Sequence, residues 1–199
     1  MTTPLPDPRL AYRTALGWTA GLAAAVRPDQ LDGPTPCDGY DVRTLLRHLV
    51  TTVRRAQVIA EGRSPLEIPA ISTDVPDDGL ADTYAEEAER AVDAWSDDAK
   101  MDAAVTVPWG TVPGRGAVWG YVNETLVHGW DLAVSTGQPA EAPTGPAEAA
   151  LVAARMAIPA EPRGGHVPFA PPVEPAAGAG ATERLANWSG RPPHTDFIT

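Results

Sequence analysis

The stretch that decides the fold is WGYVNETLVHGWDLAVSTGQP, residues 119–139. It reads as an apolar helix closed by Gly137, a residue suited to the left-handed C-cap, yet it carries Glu124 and His128 four residues apart. At about 100° per residue these two share a face with Ala117, Tyr121 and Leu132, while Val118, Val122, Leu126 and Ala133 line the opposite face. Apolar residues on both sides place the helix centrally in a bundle and carry Glu124 into surroundings where an unpaired carboxylate is costly. Something cationic must meet it: an arginine, a protonated histidine or a metal ion. Taken alone, the pair reads first as a structural hydrogen bond in the core.

The rest of the chain supplies the bundle around this helix. A first helix begins near Pro8 with Asp7 as its cap, and Ala11, Ala15, Trp18, Leu22 and Val26 form its inner stripe. The Pro- and Gly-rich run RPDQLDGPTPCDGYD breaks the period, and Asp41 caps a second helix burying Val42, Leu45, Leu46, Leu49 and Val53, with His48 on the flank. Residues 61–79 read as a long loop that can cover the mouth of a site. A third helix is expected over Leu80–Ala99, with Leu80, Tyr84, Ala88, Ala91, Val92 and Trp95 inward. VTVPWGTVPGRG predicts a short hairpin or extended connection, and the decisive helix follows over Ala117–Thr136. PAEAALVAARMAI reads as a short fifth helix, and TERLANWSGRPP as one final helical turn after an irregular Pro- and Gly-rich connector. The expected architecture is all-α, a single domain over residues 1–199: a bundle over about 8–137, then a C-terminal helix and wrapping tail over about 144–199.

Composition narrows the function. A formal charge of −11 with no Lys or Arg stripe argues against nucleic acid and anionic membrane as partners. No segment is apolar enough to span a bilayer and the start lacks a signal-peptide pattern, so a cytoplasmic protein is expected. The single cysteine, Cys37, excludes an internal disulfide framework and is given a packing role, although it precedes a helix whose N–H groups would favour the thiolate. Abundant Ala, Gly and Pro beside scarce Lys resemble an actinobacterial composition.

His48 changes the reading of the central pair. Two imidazoles and one carboxylate from facing helices suit a divalent transition metal with open positions for water or substrate, so His48, Glu124 and His128 are the candidate metal ligands. Tyr121, Asp131 and Arg191 are the candidate catalytic residues. Tyr121 lies one turn before Glu124, Asp131 and Asn123 lie on the flank, and Arg191 either holds a substrate anion or pins the tail. Trp109 and Trp130 are candidate aromatic walls. His166, in the connector, and His194, in the tail, are weaker ligand candidates.

These residues also carry a resemblance. TPCDGYDVRTLLRHLV is similar to the motif T-P-C-x-G-W-x-V-x-x-L-x-x-H-L, and ETLVHGWDLAVSTGQP to E-x-x-x-H-x-W-D-L-A-x-A-T-G-Q-P, of the actinobacterial mycothiol-dependent maleylpyruvate isomerase group. That group lies in the DinB-like superfamily of four-helix bundles, and RLANWSGRPP resembles the ending of its short members. Tyr40 stands where the motif has Trp and Ser135 where it has Ala. The resemblance implies a DinB-like four-helix bundle and a metal triad at His48, Glu124 and His128. The implied ion is zinc, with nickel or another transition metal as alternatives. It further implies mycothiol as a thiol cosubstrate, a small-molecule substrate and a homodimer. The characterised isomerases carry a larger C-terminal domain, so the expected activity is broader: a thiol transferase or isomerase acting on a small electrophile. Two competing readings are a metal- or small-molecule-binding module without catalysis, and an enzyme of specialised metabolism that uses the same cavity without thiol.

Overall fold

The computed structural model describes residues 5–165 and 167–194; His166 lies outside them. Helix α1 (Pro8–Ala24) starts where Asp7 accepts the Arg9 N–H at 3.0 Å, with Pro8 in the first turn where its missing N–H is harmless. Its buried line runs through Tyr12, Ala15, Leu16, Thr19 and Leu22. Of the expected stripe, Trp18 sits at the edge and Val26 lies past the helix end; both are half-buried against the core. Helix α2 (Val42–Ala60) is capped by Asp41, which accepts the Thr44 N–H at 2.7 Å, and it buries all five expected apolar residues.

The third expected helix divides. α3 (Leu80–Ala94) stops at Trp95, whose indole N–H donates to the Ala56 carbonyl at 3.0 Å. Ser96 donates its hydroxyl to the Asp93 carbonyl, and Asp97 caps a separate short α4 (Asp98–Asp102). Ser and Asp side chains compete with the helix for backbone partners, which is why the chain turns here. Strands β1 (Ala104–Val107) and β2 (Gly110–Pro113) form the expected short hairpin, with Pro108 and Trp109 in its turn. α5 (Gly114–Thr136) begins three residues before the expected start and ends on Gly137 at φ 69°.

The bundle is formed by α1, α2, α3 and α5. α1 touches α3 and α5, and α2 touches the same two, so the four close into a ring. α5 is buried nearly all round because α6 (Thr144–Ala157) and α7 (Ala181–Trp188) pack on its outer side. The close approach of α1 to α5 depends on Gly129, where a Cβ atom would lie 2.5 Å from the Trp18 ring and 2.7 Å from Thr19 Oγ1. α7 is longer than the single turn expected. Its first N–H groups, on Thr182 and Glu183, donate to the Glu141 carboxylate at 3.0 and 3.1 Å, a cap supplied from across the chain. The result is the expected all-α four-helix-bundle arrangement with one short hairpin and an irregular C-terminal segment. No helix among the described residues is long and apolar enough to cross a membrane.

Candidate metal centre

α2 and α5 bring His48, Glu124 and His128 together. Each offers a ligand atom within 4.8 Å of the others. His48 Nε2 lies 3.1 Å and His128 Nε2 3.5 Å from the same Glu124 oxygen, Oε1. The two rings stand edge to face with centroids 4.8 Å apart. Glu124 is not sealed in the core as its helix face implies. Its side chain keeps 31% of its exposure against 13% for His48 and 9% for His128, so the cluster opens to the surface at the carboxylate.

Hydrogen bonds assign the histidine protons. His48 Nδ1 lies 3.2 Å from the Ala70 carbonyl, which can only accept, so Nδ1 carries a proton and Nε2 is the nitrogen that faces Glu124. His128 Nδ1 donates to Asp131 Oδ2 at 3.0 Å, with the same consequence for its Nε2. Two Nε2 atoms and a carboxylate oxygen thus converge, while each Nδ1 is already committed as a donor elsewhere. Either a proton or a metal ion must be present, and metal-binding histidines characteristically give their other N–H to a carbonyl or carboxylate in this way. The donor set therefore fits a divalent ion. Electrostatics agrees. Burial pushes the His128 pKa down, but the Glu124 charge and the bond to Asp131 outweigh it and hold the ring well above its ordinary value. Burial would likewise raise the Glu124 pKa, yet His128 and His48 hold it well below the usual range.

Asp131 and Arg191 lie behind this layer. Asp131 is fully buried, and Arg191 grips it through Nε at 2.9 and 3.2 Å and Nη2 at 2.8 Å. Of the two roles foreseen for Arg191, the geometry is that of pinning the tail: its guanidinium is committed to Asp131 and its backbone N–H to the Ala186 carbonyl. Asp131 in turn accepts from His128, so Asp131 and Arg191 stand behind the cluster rather than in it. Tyr121 is buried on the Glu124 face, its hydroxyl without a hydrogen-bond partner among the described residues. Burial and the Glu124 charge raise its pKa, so it stays a donor at neutral pH. Trp109, half exposed at the hairpin turn, lies beside the Tyr121 ring at 5.8 Å. Trp130 is fully buried and meets His194 edge to face at 6.2 Å, so neither belongs to the cluster.

Sequence reasoning gave Cys37 a packing role. The structure brings it into a second group with His128 and Asp131, whose ligand atoms lie within 4.8 Å of one another. The tight turn that presents it is held by Thr35, which accepts the Cys37 N–H at 3.2 Å, and by the Tyr40 N–H on the Cys37 carbonyl at 3.0 Å. The loop over residues 61–79 borders the cluster as expected, since its Ala70 carbonyl fixes His48.

A helical bundle of this arrangement defines the class, and known proteins share its fold. A DinB-like protein of Bacillus subtilis superposes with a TM-score of 0.53 at 22% identity, over 69% of this chain and 96% of that one. The mycothiol-dependent maleylpyruvate isomerase crystal structure superposes with a TM-score of 0.55 at 18% identity, over 66% of this chain. This chain covers 63% of that isomerase's length. At these identities the likeness is one of fold. The chain itself belongs to the mycothiol maleylpyruvate isomerase N-terminal domain family, which matches residues 12–133. Two Mycobacterium tuberculosis proteins, the uncharacterized proteins Rv0738 and MT0763, are each 35% identical to it over 164 residues, 82% of this chain and 86% of theirs.

Proposed function

We propose that this protein is a divalent-metal-dependent enzyme that uses a low-molecular-weight thiol of the mycothiol type to modify or isomerise a small electrophilic metabolite. The observation that carries the reading is the convergence of two Nε2 atoms and Glu124 Oε1 at the open side of α5, with each imidazole fixed through its other nitrogen. The family match supports the choice of thiol. Zinc is the proposed ion, held by His48, Glu124 and His128, with nickel or another transition metal suited to the same donors. Bound with a free coordination position, the ion supplies thiolate from a thiol that is mostly protonated at neutral pH.

The chain's own residues do the remaining work. The Ala70 carbonyl and Asp131 keep both histidines in the ligating tautomer, and Arg191 holds Asp131 in place. Tyr121 keeps its proton and supplies a donor beside the reacting groups. Addition of the thiol to an activated double bond forms one C–S bond and places the thiol proton on the neighbouring carbon. Release gives a thioether product, or, after rotation and elimination of the thiol, an isomer. A cytoplasmic setting, where small thiols stay reduced, suits this chemistry.

Metal analysis of untagged protein beside His48→Ala and Glu124→Ala variants tests the reading. Near-stoichiometric zinc or another divalent ion, lost in both variants, is the expected result. A wild-type protein that holds no metal and cannot be loaded would leave a buried polar cluster and end the enzyme reading. A cobalt-loaded sample should then gain a sulfur-to-metal charge-transfer absorption on adding a small thiol; its absence would favour a thiol-independent use of the site.

A further inference from the structure

The turn that precedes α2 presents two side chains to the cluster. Thr35 fixes it, donating its hydroxyl to the Tyr40 carbonyl at 2.8 Å and accepting the Cys37 N–H at 3.2 Å, and a backbone bridge between Pro34 and Asp41 closes its base. The Tyr40 N–H returns to the Cys37 carbonyl at 3.0 Å, so the two residues are held in one small frame. Cys37 lies beside His128 and Asp131. Tyr40 lies beside His48: the two rings stand edge to face with centroids 5.4 Å apart, on an imidazole whose other neighbour is the His128 ring at 4.8 Å.

Tyr40 differs from the bundle's other tyrosines in where its hydroxyl goes. Those of Tyr12, Tyr84 and Tyr121 are buried, whereas Tyr40 is half-buried, its ring packed on the core and its hydroxyl reachable from solvent. No hydrogen bond among the described residues uses that hydroxyl; the bonds of Tyr40 are made by its backbone. Burial raises its pKa, with Cys37 and Glu124 adding to the rise and His128 opposing it, so the phenol is a donor at neutral pH. The same hydroxyl is thus within electrostatic reach of Cys37, His128 and Glu124, and Glu124 is where the cluster opens to the surface. Ring contact and charge together put the Tyr40 donor at that open side. The motif this turn resembles has Trp at the position, which carries its N–H on the side of the ring; Tyr carries its donor at the tip, so the donor's place is particular to this chain.

We propose that Tyr40 is a ligand-binding residue of this site, its hydroxyl donating a hydrogen bond to the thiolate sulfur of a small thiol held at the open side of His48, Glu124 and His128. The inference rests on the reading of those three residues as a metal centre that takes a thiol, and it names the side chain that stabilises the deprotonated sulfur. A hydrogen bond to an ionised acceptor favours the charged form. The effect falls on thiol binding and not on metal binding, because the bonds that fix the two histidines, to the Ala70 carbonyl and to Asp131, do not involve Tyr40.

The test titrates 2-mercaptoethanol into cobalt-loaded wild-type, Tyr40→Phe and Tyr40→Trp proteins, following the sulfur-to-metal charge-transfer absorption, with cobalt content measured in each sample. Tyr40→Phe keeps a ring on His48, so its cobalt content should match wild type while its thiol affinity falls roughly ten- to a hundredfold, the range for loss of a hydrogen bond to a charged group. Tyr40→Trp should fall between, because the indole N–H is a donor that leaves from the side of the ring. Equal thiol affinity in wild type and Tyr40→Phe would overturn the proposal and leave the metal and thiol reading standing. Lower cobalt content in Tyr40→Phe would also overturn it, by making the hydroxyl part of metal binding. Wild-type protein that takes no cobalt, or takes it and gains no absorption with thiol, would instead sink the underlying reading and this proposal with it.

Discussion

Replacing Asp131 by Asn isolates the layer behind the cluster. The side chain is fully buried and accepts from Arg191 through Nε and Nη2 and from His128 through Nδ1. Asn keeps the shape but offers one acceptor oxygen, and its amide N–H groups face a donor on the other side. Arg191 is left with its charge unpaired at 16% side-chain exposure. Breaking a buried pair by removing one partner destabilises by about 3–5 kcal/mol, and the residual exposure of Arg191 places this case near about 3 kcal/mol. For a chain of this size that corresponds to a Tm lower by roughly 6–12 °C. The second consequence is specific to the site. His128 loses the acceptor that fixes its tautomer, and metal affinity should fall about 10- to 100-fold. Scanning calorimetry gives the first quantity and competition with a chelator the second. An Asp131→Asn/Arg191→Met double variant should recover part of the stability, because it no longer buries a lone charge, without recovering metal affinity. A single Asp131→Asn variant with unchanged Tm and unchanged metal affinity would refute the positioning argument.

Gly129→Ala places a Cβ within 2.5 Å of the Trp18 ring, and overpacking of this kind should cost about 1–3 kcal/mol, read as a lower calorimetric Tm. Cys37→Ser should leave metal stoichiometry unchanged, because Cys37 groups with His128 and Asp131 rather than with His48 and Glu124; metal analysis showing loss would make Cys37 a ligand. Glu87 is raised by burial, but Gln57, Arg54 and Arg90 outweigh this and hold its pKa below the ordinary 4.5. Its contribution is therefore fully present above that value and is lost as pH falls through the lower folded-state pKa. Acid unfolding below about pH 4.5 should accordingly be less steep in Glu87→Gln than in wild type.

The helices legible in the sequence are those whose evidence is local. α2 has its cap, its apolar period and its breakers within one run, and each expected buried residue is buried. α3 was read too long because Leu80 to Trp95 keeps a helical period and nothing apolar marks the stop. The stop is made by the Ser96 and Asp97 side chains and by an indole bond to Ala56 of another helix. α5 starts earlier than expected because Gly114 and Gly116 look like loop residues, whereas Gly114 is buried where a Cβ would lie 2.0 Å from the Lys100 carbonyl oxygen. α7 was read too short because its cap, Glu141, lies forty-one residues before Thr182.

The same division runs through the site. Glu124 and His128 are one turn apart and His48 stands in a clear amphipathic helix, so the three were visible as a set before their distances were known. Asp131 and Arg191 were each visible as polar residues with a possible task, but sixty residues separate them, and no local pattern says that one is committed to the other. Arg54 and Arg55 show the limit most sharply, since adjacent identical residues have identical sequence context. Successive residues on a helix point about 100° apart, and here that angle sends Arg54 to the carboxylates of Asp74 and Glu87 and Arg55 to the backbone carbonyl of Ile68. The first charge is answered within the protein. The second meets a backbone carbonyl instead, and what distinguishes the two is the position of α3 and the loop around α2, which only the folded chain supplies.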